Sequence, residues 1–219
     1  MRRLEFVAPR RLESFGAALV PVPDGVEPAS VASASDNLSD AYGGVSRALA
    51  TRPQGSVLVL GGTGSIGQWA AGWAVMLGAA RTVYVDRDEE SRGVAQGYGA
   101  TAVASHHELD RADAFDVLID AGAHAGRLAD GIGRLGAGGH CHSVGIYFEP
   151  TNGLPLGSMY MNGISFSTGR PSVSPVLGEV LHAVAEGRFD PTPVFSDRLP
   201  FDDAAAALAE LPRKAVFVR

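Results

Sequence analysis

The sequence predicts an α/β fold, a doubly wound six-stranded parallel sheet with helices on both faces and a small side sheet. Three observations carry this reading. From Ser56 onward, short runs of strand character alternate with runs of helical spacing. Several of the strand runs, Val57 to Leu60 above all, are apolar rather than alternating, as in strands covered on both faces. A glycine-rich turn, Gly61 to Gly67, joins the first of these strands to the helix after it.

Taken in order, Leu4 to Val7 reads as a short strand, and Ala17 to Val22 as another before the turn Pro23-Asp24-Gly25. Asp36 to Ala50 has helical spacing, with Leu38, Ala41, Tyr42, Val45 and Leu49 on one side. Pro53-Gln54-Gly55 ends it. The strand Ser56–Leu60 is followed by a helix over Ile66–Leu77, and Thr82–Val85 by a helix over Glu89–Tyr98. Thr101–Val103 is a third strand, and Phe115–Ile119 a fourth, followed by a helix over Gly126–Leu135. Gly139–Val144 is a fifth strand, and Ile164–Ser167 a sixth, followed by a helix over Pro175–Ala185. Right-handed crossovers make this order doubly wound and put a ligand at the carboxyl ends of the strands. Thr192–Phe195 and Ala215–Val218 read as strands around a helix over Asp202–Ala209. Ala215–Val218 is expected to pair with the N-terminal segment, giving a residual side sheet.

The motif Gly62-Thr63-Gly64-Ser65-Ile66-Gly67 follows a strand and opens a helix, the context that turns a glycine pattern into a dinucleotide signature. Gly62 allows the tight turn, Gly64 lets a pyrophosphate approach the backbone, and Gly67 lets the helix pack on the strand. The free amides at the helix start face the phosphates. Thr82-Val83-Tyr84-Val85-Asp86 then places an acid where such a unit holds the adenosine ribose. Asp86 favours NAD over NADP by repelling a 2′-phosphate, while Arg87 and Arg92 leave NADP open; a second reading makes Asp86 a cap of the next helix. The expected organisation is a residual N-terminal segment and helix over 1–50, a dinucleotide-binding unit over 51–190, and a strand–helix–strand over 191–219 packed on the N-terminal segment.

Composition narrows the partners. The 219 residues are 46% hydrophobic and 19% charged, as in globular proteins, and carry a net charge of -6, against a nucleic-acid partner. No apolar run approaches the about 20 residues of a membrane span, and Met1 to Phe6 lacks a signal-peptide core, so the expected location is cytoplasmic, away from the membrane. A single cysteine, Cys141, excludes an internal disulfide and a multi-cysteine zinc site.

With these residues in place, the chain resembles a medium-chain dehydrogenase/reductase of the zinc-type alcohol dehydrogenase superfamily. The resemblance runs from about residue 20 to the end. It is carried by Val22-Pro23-Asp24-Gly25-Val26, Ser35 to Tyr42, the glycine motif, Leu77-Gly78-Ala79, Asp86, Tyr98-Gly99-Ala100-Thr101, Asp116 to Gly122, Gly138 to Ile146, Leu156 to Tyr160 and Gly169-Arg170. It implies a Rossmann fold. It also implies nicotinamide contacts from the loops at Ala121-Gly122 and at Val144-Gly145-Ile146-Tyr147. Arg170 is then a phosphate or ribose contact, or equally a solvated or interface arginine.

Members of the family carry a large GroES-like catalytic domain ahead of this region. Here Met1–Leu12 resembles its first strand and Phe15-Gly16-Ala17-Ala18 its last, so the chain is expected to be a truncated form without the catalytic or structural zinc ligands or the proton-relay hydroxyl. Asp36 matches a position where relatives resembling formaldehyde dehydrogenase place a carboxylate ligand, but one carboxylate does not make a zinc site. Asp36 and Tyr42 are the candidates for chemistry at the nicotinamide end; Asp36 reads equally as a helix cap, and Tyr42 also as a core residue. His140 and His142 share a strand face, but two imidazoles without a third ligand read as satisfied histidines rather than a metal site.

The expected function is a zinc-independent NAD(P)-dependent oxidoreductase acting on a small alcohol or carbonyl compound, a homodimer through Ile164–Ser167 by the family's two-fold pairing. The alternative is a scaffold repurposed for a non-redox step (cyclisation, elimination or isomerisation) or for nucleotide binding without turnover.

Overall fold

The computed structural model describes residues 19–62, 64–110, 112–210 and 213–219. Six parallel strands form the central sheet: β1 (Val57–Leu60), β2 (Thr82–Val85), β3 (Thr101–Val103), β4 (Phe115–Asp120), β5 (Leu135–Ser143) and β6 (Ser165–Thr168). Their order is β3-β2-β1-β4-β5-β6. Helices α1 (Asn37–Thr51), α2 (Ser65–Met76), α3 (Glu89–Gly97), α4 (Ala125–Ile132), α5 (Leu156–Asn162) and α6 (Leu177–Ala185) cover it.

The two faces follow from strand alternation. Val57 and Val59 of β1 turn to one side and meet Leu38, Val45, Trp69, Trp73 and Val180 of α1, α2 and α6. Leu58 and Leu60 turn to the other and meet Leu128 and Ile132 of α4 and Met159 of α5. Both sets are buried, which is why β1 is apolar without interruption.

An aromatic column pins the first face. The Trp73 ring stacks on Phe189 at 3.5 Å between centroids and meets Tyr42 edge-on at 5.0 Å, and Phe189 stacks on Tyr98. Each indole N–H is used: Trp73 donates to the Leu38 carbonyl and Trp69 to the Pro191 carbonyl. The column ties α1, α2, α3 and the turn after α6 into one layer.

Several expectations are corrected. Leu19 to Val22 has no regular structure, while Leu4–Val7, Ala17 and Ala18 lie outside the described residues. Thr192–Phe195 is not a strand: Thr192–Val194 is a 3-10 turn, consistent with Pro191 and Pro193, which lack the N–H that a ladder needs. Ala215–Val218 (β8) is a strand, and its described partner is β7 (Asp197–Pro200), paired in parallel around the short helix α7 (Ala204–Ala209). The N-terminal segment expected to pair with it lies outside the described residues. The side sheet lies beside the 3-10 turn Pro28–Val31, with Arg198 paired to Glu27. Helix α4 ends at Ile132 rather than Leu135, and β5 begins at Leu135; the register shifts between Phe115 and Val117, and Gly138 (φ 72°) lets β5 absorb the irregularity. Helix α5 is an addition to the sequence reading. Among the described residues, no helix is long and apolar enough to cross a membrane.

Truncating Trp73 to alanine removes the centre of the aromatic column. It is expected to cost about 3–5 kcal/mol of unfolding free energy, read from the urea midpoint; a loss below about 1 kcal/mol would show that the column is not a load path.

Candidate functional site

All six strands end on one edge, and the strand order reverses between β1 and β4, where a crevice opens. The glycine loop lies there. Gly62 (φ 131°) and Gly64 (φ 93°) occupy backbone conformations that side-chain-bearing residues rarely adopt. Nothing lies within 4 Å of the place a Gly64 side chain would fill, so a ligand has room against the backbone. A Cβ on Gly67 would stand 3.2 Å from Gly61 Cα and from the Tyr84 ring, so α2 rests directly on β1. Thr63 lies outside the described residues.

Gly61 is enclosed more tightly still. A side chain there would collide with the Tyr84 hydroxyl and the Asp86 carboxylate. Its carbonyl accepts from Arg127 at 2.8 Å, and the same guanidinium donates to the Val85 carbonyl at 3.1 Å. A side chain from α4 thus fastens the carboxyl ends of β1 and β2 together.

Asp86 is buried just past β2, where its carboxylate accepts from the Tyr84 hydroxyl at 2.7 Å and from the Asp88 backbone N–H at 3.0 Å. Asp88, rather than Asp86, caps α3 by accepting from the Ser91 backbone N–H at 2.6 Å. A pocket of about 230 Å³ runs from Gly62, Gly64 and Ser65 to Asp86, and is closed on its far side by Phe195, Arg213 and Lys214. Gln68 and Ser91 line it too, and they are hydrogen-bonded to each other at 2.8 Å. Arg92 donates to the Asp86 and Arg87 carbonyls. A larger groove of about 770 Å³ lies between α2 and α3 against Phe189, and no residue of the glycine loop lines it.

The loops after β4 and β5 are joined by one carboxylate. Asp120 is fully buried and accepts from the Ser143 hydroxyl (2.7 Å), the Tyr147 hydroxyl (2.7 Å) and the Gly122 N–H (3.1 Å). Its carbonyl accepts from the Val144 N–H at 2.9 Å. Ala121-Gly122 and Val144-Gly145-Ile146 are therefore held side by side, and a Cβ on Gly145 would stand 3.0 Å from Ala123. Burial, with Asp120 adding to it, pushes the Tyr147 phenol far above its ordinary value. Arg170 is exposed in the loop after β6.

Asp36 stands exposed at the head of α1, and its side chain does not cap the helix. The Asn37 amide donates to it at 2.8 Å and accepts from the Lys214 ammonium at 3.1 Å. That ammonium lies over the Trp69 ring, and burial lowers its pKa against the opposing pull of Asp36. Asp40, one turn along, is buried. Tyr42 belongs to the core: its hydroxyl donates to Glu179 at 2.6 Å, and burial together with that carboxylate pushes its pKa up to about 12. His140 and His142 each bond a serine of β6, Ser165 at 2.8 Å and Ser167 at 2.9 Å, and Ser167 also reaches His140 at 3.0 Å.

A family model described as zinc-binding dehydrogenase matches residues 65–180, more than half of the chain. The chain belongs to the zinc-binding dehydrogenase family. A probable zinc-binding alcohol dehydrogenase of Mycobacterium tuberculosis is 25% identical over 193 residues, 86% of this chain and 50% of the relative. A zinc-type alcohol dehydrogenase-like protein of Schizosaccharomyces pombe is 21% identical over 187 residues, 72% of this chain and 44% of that protein. The chain thus spans about half the length of these curated relatives. Among solved structures, an alcohol dehydrogenase from Thermus sp. ATN1 superposes with a TM-score of 0.82 at 27% identity, over 91% of this chain and 61% of that one.

Among the described residues, no three His, Cys, Asp or Glu side chains converge where an ion could be held. Cys141 is buried, and burial pushes its thiol well above the ordinary range.

The half-buried His142 and the buried Asp40 make stability depend on pH in opposite senses. Burial, aided by Arg47 and His140, holds His142 at about 4 against an ordinary 6.5. The unfolded chain takes up a proton that the folded chain refuses, so this contribution is full above the ordinary value and lost as pH falls toward 4. Asp40 is lifted from 3.8 to about 6, mainly by burial, with Arg47 opposing and Asp36 adding. Its contribution is full below its ordinary value and lost as pH rises through 6. Replacing His142 with glutamine is expected to abolish on the order of 2 kcal/mol of the acid-side loss, after allowance for partial exposure. The check is urea unfolding of both proteins at about pH 4.5 and pH 7; parallel losses in the two would show that His142 does not titrate as described.

Proposed function

We propose that this chain is a zinc-independent NAD(P)-binding oxidoreductase of the medium-chain dehydrogenase type, acting on a small alcohol or carbonyl compound. The observation that carries the reading is the open face of Gly64 at the head of α2, leading along one pocket to the buried Asp86. Two solved structures of the same fold hold such a cofactor: rspB of Escherichia coli is complexed with NADH, and a putative zinc-binding dehydrogenase of Sinorhizobium meliloti is bound to NADP, at 18% and 19% identity.

A nicotinamide dinucleotide supplies the hydride chemistry when bound. The chain's own residues bind and orient it. Gly62, Thr63 and Gly64 with the first amides of α2, from Ser65 to Gly67, take the pyrophosphate, and Lys214 at the pocket wall adds a positive charge. Asp86, flanked by Arg87, holds the adenosine ribose. Ala121-Gly122 and Val144 to Ile146, fastened through Asp120, present backbone to the nicotinamide end, with Arg170 beyond β6. Proton handling falls to Asp36 and Asp40 at the first turn of α1; of the two, Asp40, raised to about 6, suits exchange near neutral pH. Tyr42 supports them by holding α1 to α6 through Glu179. Residues 51–190 form the dinucleotide-binding unit.

Replacing Gly64 with tryptophan fills the approach and forces a side chain into a left-handed backbone. Calorimetry should then show NADH affinity reduced by at least about tenfold, or 1.4 kcal/mol, while the thermal melt stays cooperative. A chain that binds neither NAD(H) nor NADP(H) would defeat the proposal.

The same reading makes the chain a homodimer through β6. That strand closes one end of the sheet order, and Ile146, Phe148, Leu156, Tyr160 and Met161 stand exposed on the neighbouring loop and α5. Light scattering should give twice the chain mass for the wild type and a monomer for Tyr160→Glu/Met161→Glu. A wild-type chain that is monomeric at high concentration would exclude this arrangement.

A further inference from the structure

Of the two cations closing the far side of the pocket, Lys214 points toward α1 and α2, where Asn37 and the Trp69 ring receive it. Arg213 points the other way, toward α3. One of its guanidinium nitrogens pairs with Asp88 at 2.5 Å and the other with Glu90 at 2.9 Å. Both carboxylates line the same pocket as Asp86. Of the two arginines beside Asp86, Arg92 is committed to the Asp86 and Arg87 carbonyls, and Arg87 is exposed.

We infer that Arg213 is a specificity-determining residue, and that its clamp by Asp88 and Glu90 withholds it from the ribose 2′ position and makes the pocket select NAD(H) over NADP(H). This rests on the dinucleotide reading above and deepens it. Three carboxylates surround one guanidinium at the ribose end, so a 2′-phosphate meets Asp86 with Arg213 already engaged by Asp88 and Glu90. The clamp is half-exposed, and exposed ion pairs are weak. A guanidinium released from it matches a phosphate with two parallel hydrogen bonds. Asp88 is held at about 2, by Arg213 first and the Ser91 contacts next, so the clamp stays ionised throughout the neutral range. Selection thus depends on how many carboxylates compete for Arg213, and the geometry gives each a replacement that keeps its shape.

The experiment is calorimetric titration of the full chain with NADH and with NADPH. The proteins are wild type, Glu90→Gln, Asp88→Asn/Glu90→Gln, and the last with Arg213→Gln added. Asparagine retains the cap on α3, and Glu90 is exposed, so Glu90→Gln keeps the test open if the double variant folds poorly. The wild type should prefer NADH. Glu90→Gln should shift the ratio part of the way, and the double variant should shift it toward NADPH by at least about tenfold. Adding Arg213→Gln should cancel the gain. A wild type preferring NADPH, an unchanged ratio in the Glu90 and double variants, or a gain that survives Arg213→Gln would each overturn the inference while leaving the dinucleotide reading intact. Binding of neither dinucleotide by the wild type would overturn both.

Discussion

The absence of a side chain at Gly61 is the constraint on which the rest of this structure depends. Where β1 leaves the sheet, Tyr84 and Asp86 close in from β2, Gly67 from α2, and Arg127 from α4. Each contact fixes something different. The Tyr84 hydroxyl orients the Asp86 carboxylate, Gly67 sets the distance of α2 from the strand, and Arg127 holds two strand ends in register. A methyl group at this point would push the acid, the helix and the strand apart together. Close packing leaves no room for local relief, because neighbouring contacts share the same few ångströms.

Much of the sheet was legible in the sequence because its signals are local. The bounds of β2, β3 and β8 coincide with apolar runs between breakers, and the glycine motif lies where β1 meets α2. What escaped was long-range or irregular. Helix α5 is seven residues with one buried side chain, too short to show a helical period. The β7 run Asp197-Arg198-Leu199-Pro200 carries a single apolar side chain before its proline and no strand period of its own, and it pairs with β8 in a parallel ladder. Thr192–Phe195 has strand-like side chains, but its prolines dictate the backbone.

The candidate site divides in the same way. Gly62, Gly64, Gly67 and Asp86 were readable because spacing alone brings them together. Asp120 was not, since a buried carboxylate is recognised by its donors, and Ser143 and Tyr147 come from another strand and loop. Arg213 and Lys214 had no local signal either; what was available was two adjacent cations before an apolar strand. The His-Cys-His run offered a metal pattern, and the neighbouring strand answered it with serines. Asp36 was read as a cap or a catalyst, and the structure leaves it bonded to Asn37 and exposed, whereas Asp40, buried a turn away, drew no attention because an acid in a helix looks like surface.

The pocket takes its two sides from distant parts of the chain, with roughly 150 positions between Gly64 and Arg213. A chain emerging from the ribosome presents the glycine loop, β2 and the whole parallel sheet before the wall that faces them has been translated. The sheet has its core without that wall, since both hydrophobic clusters draw almost entirely on residues before Phe195. The wall that faces the glycine loop is therefore added after the scaffold, in the last stretch of synthesis. An arrested nascent chain ending before Arg213 would carry the glycine loop and Asp86 in place, with the pocket open on the side that Arg213 and Lys214 line.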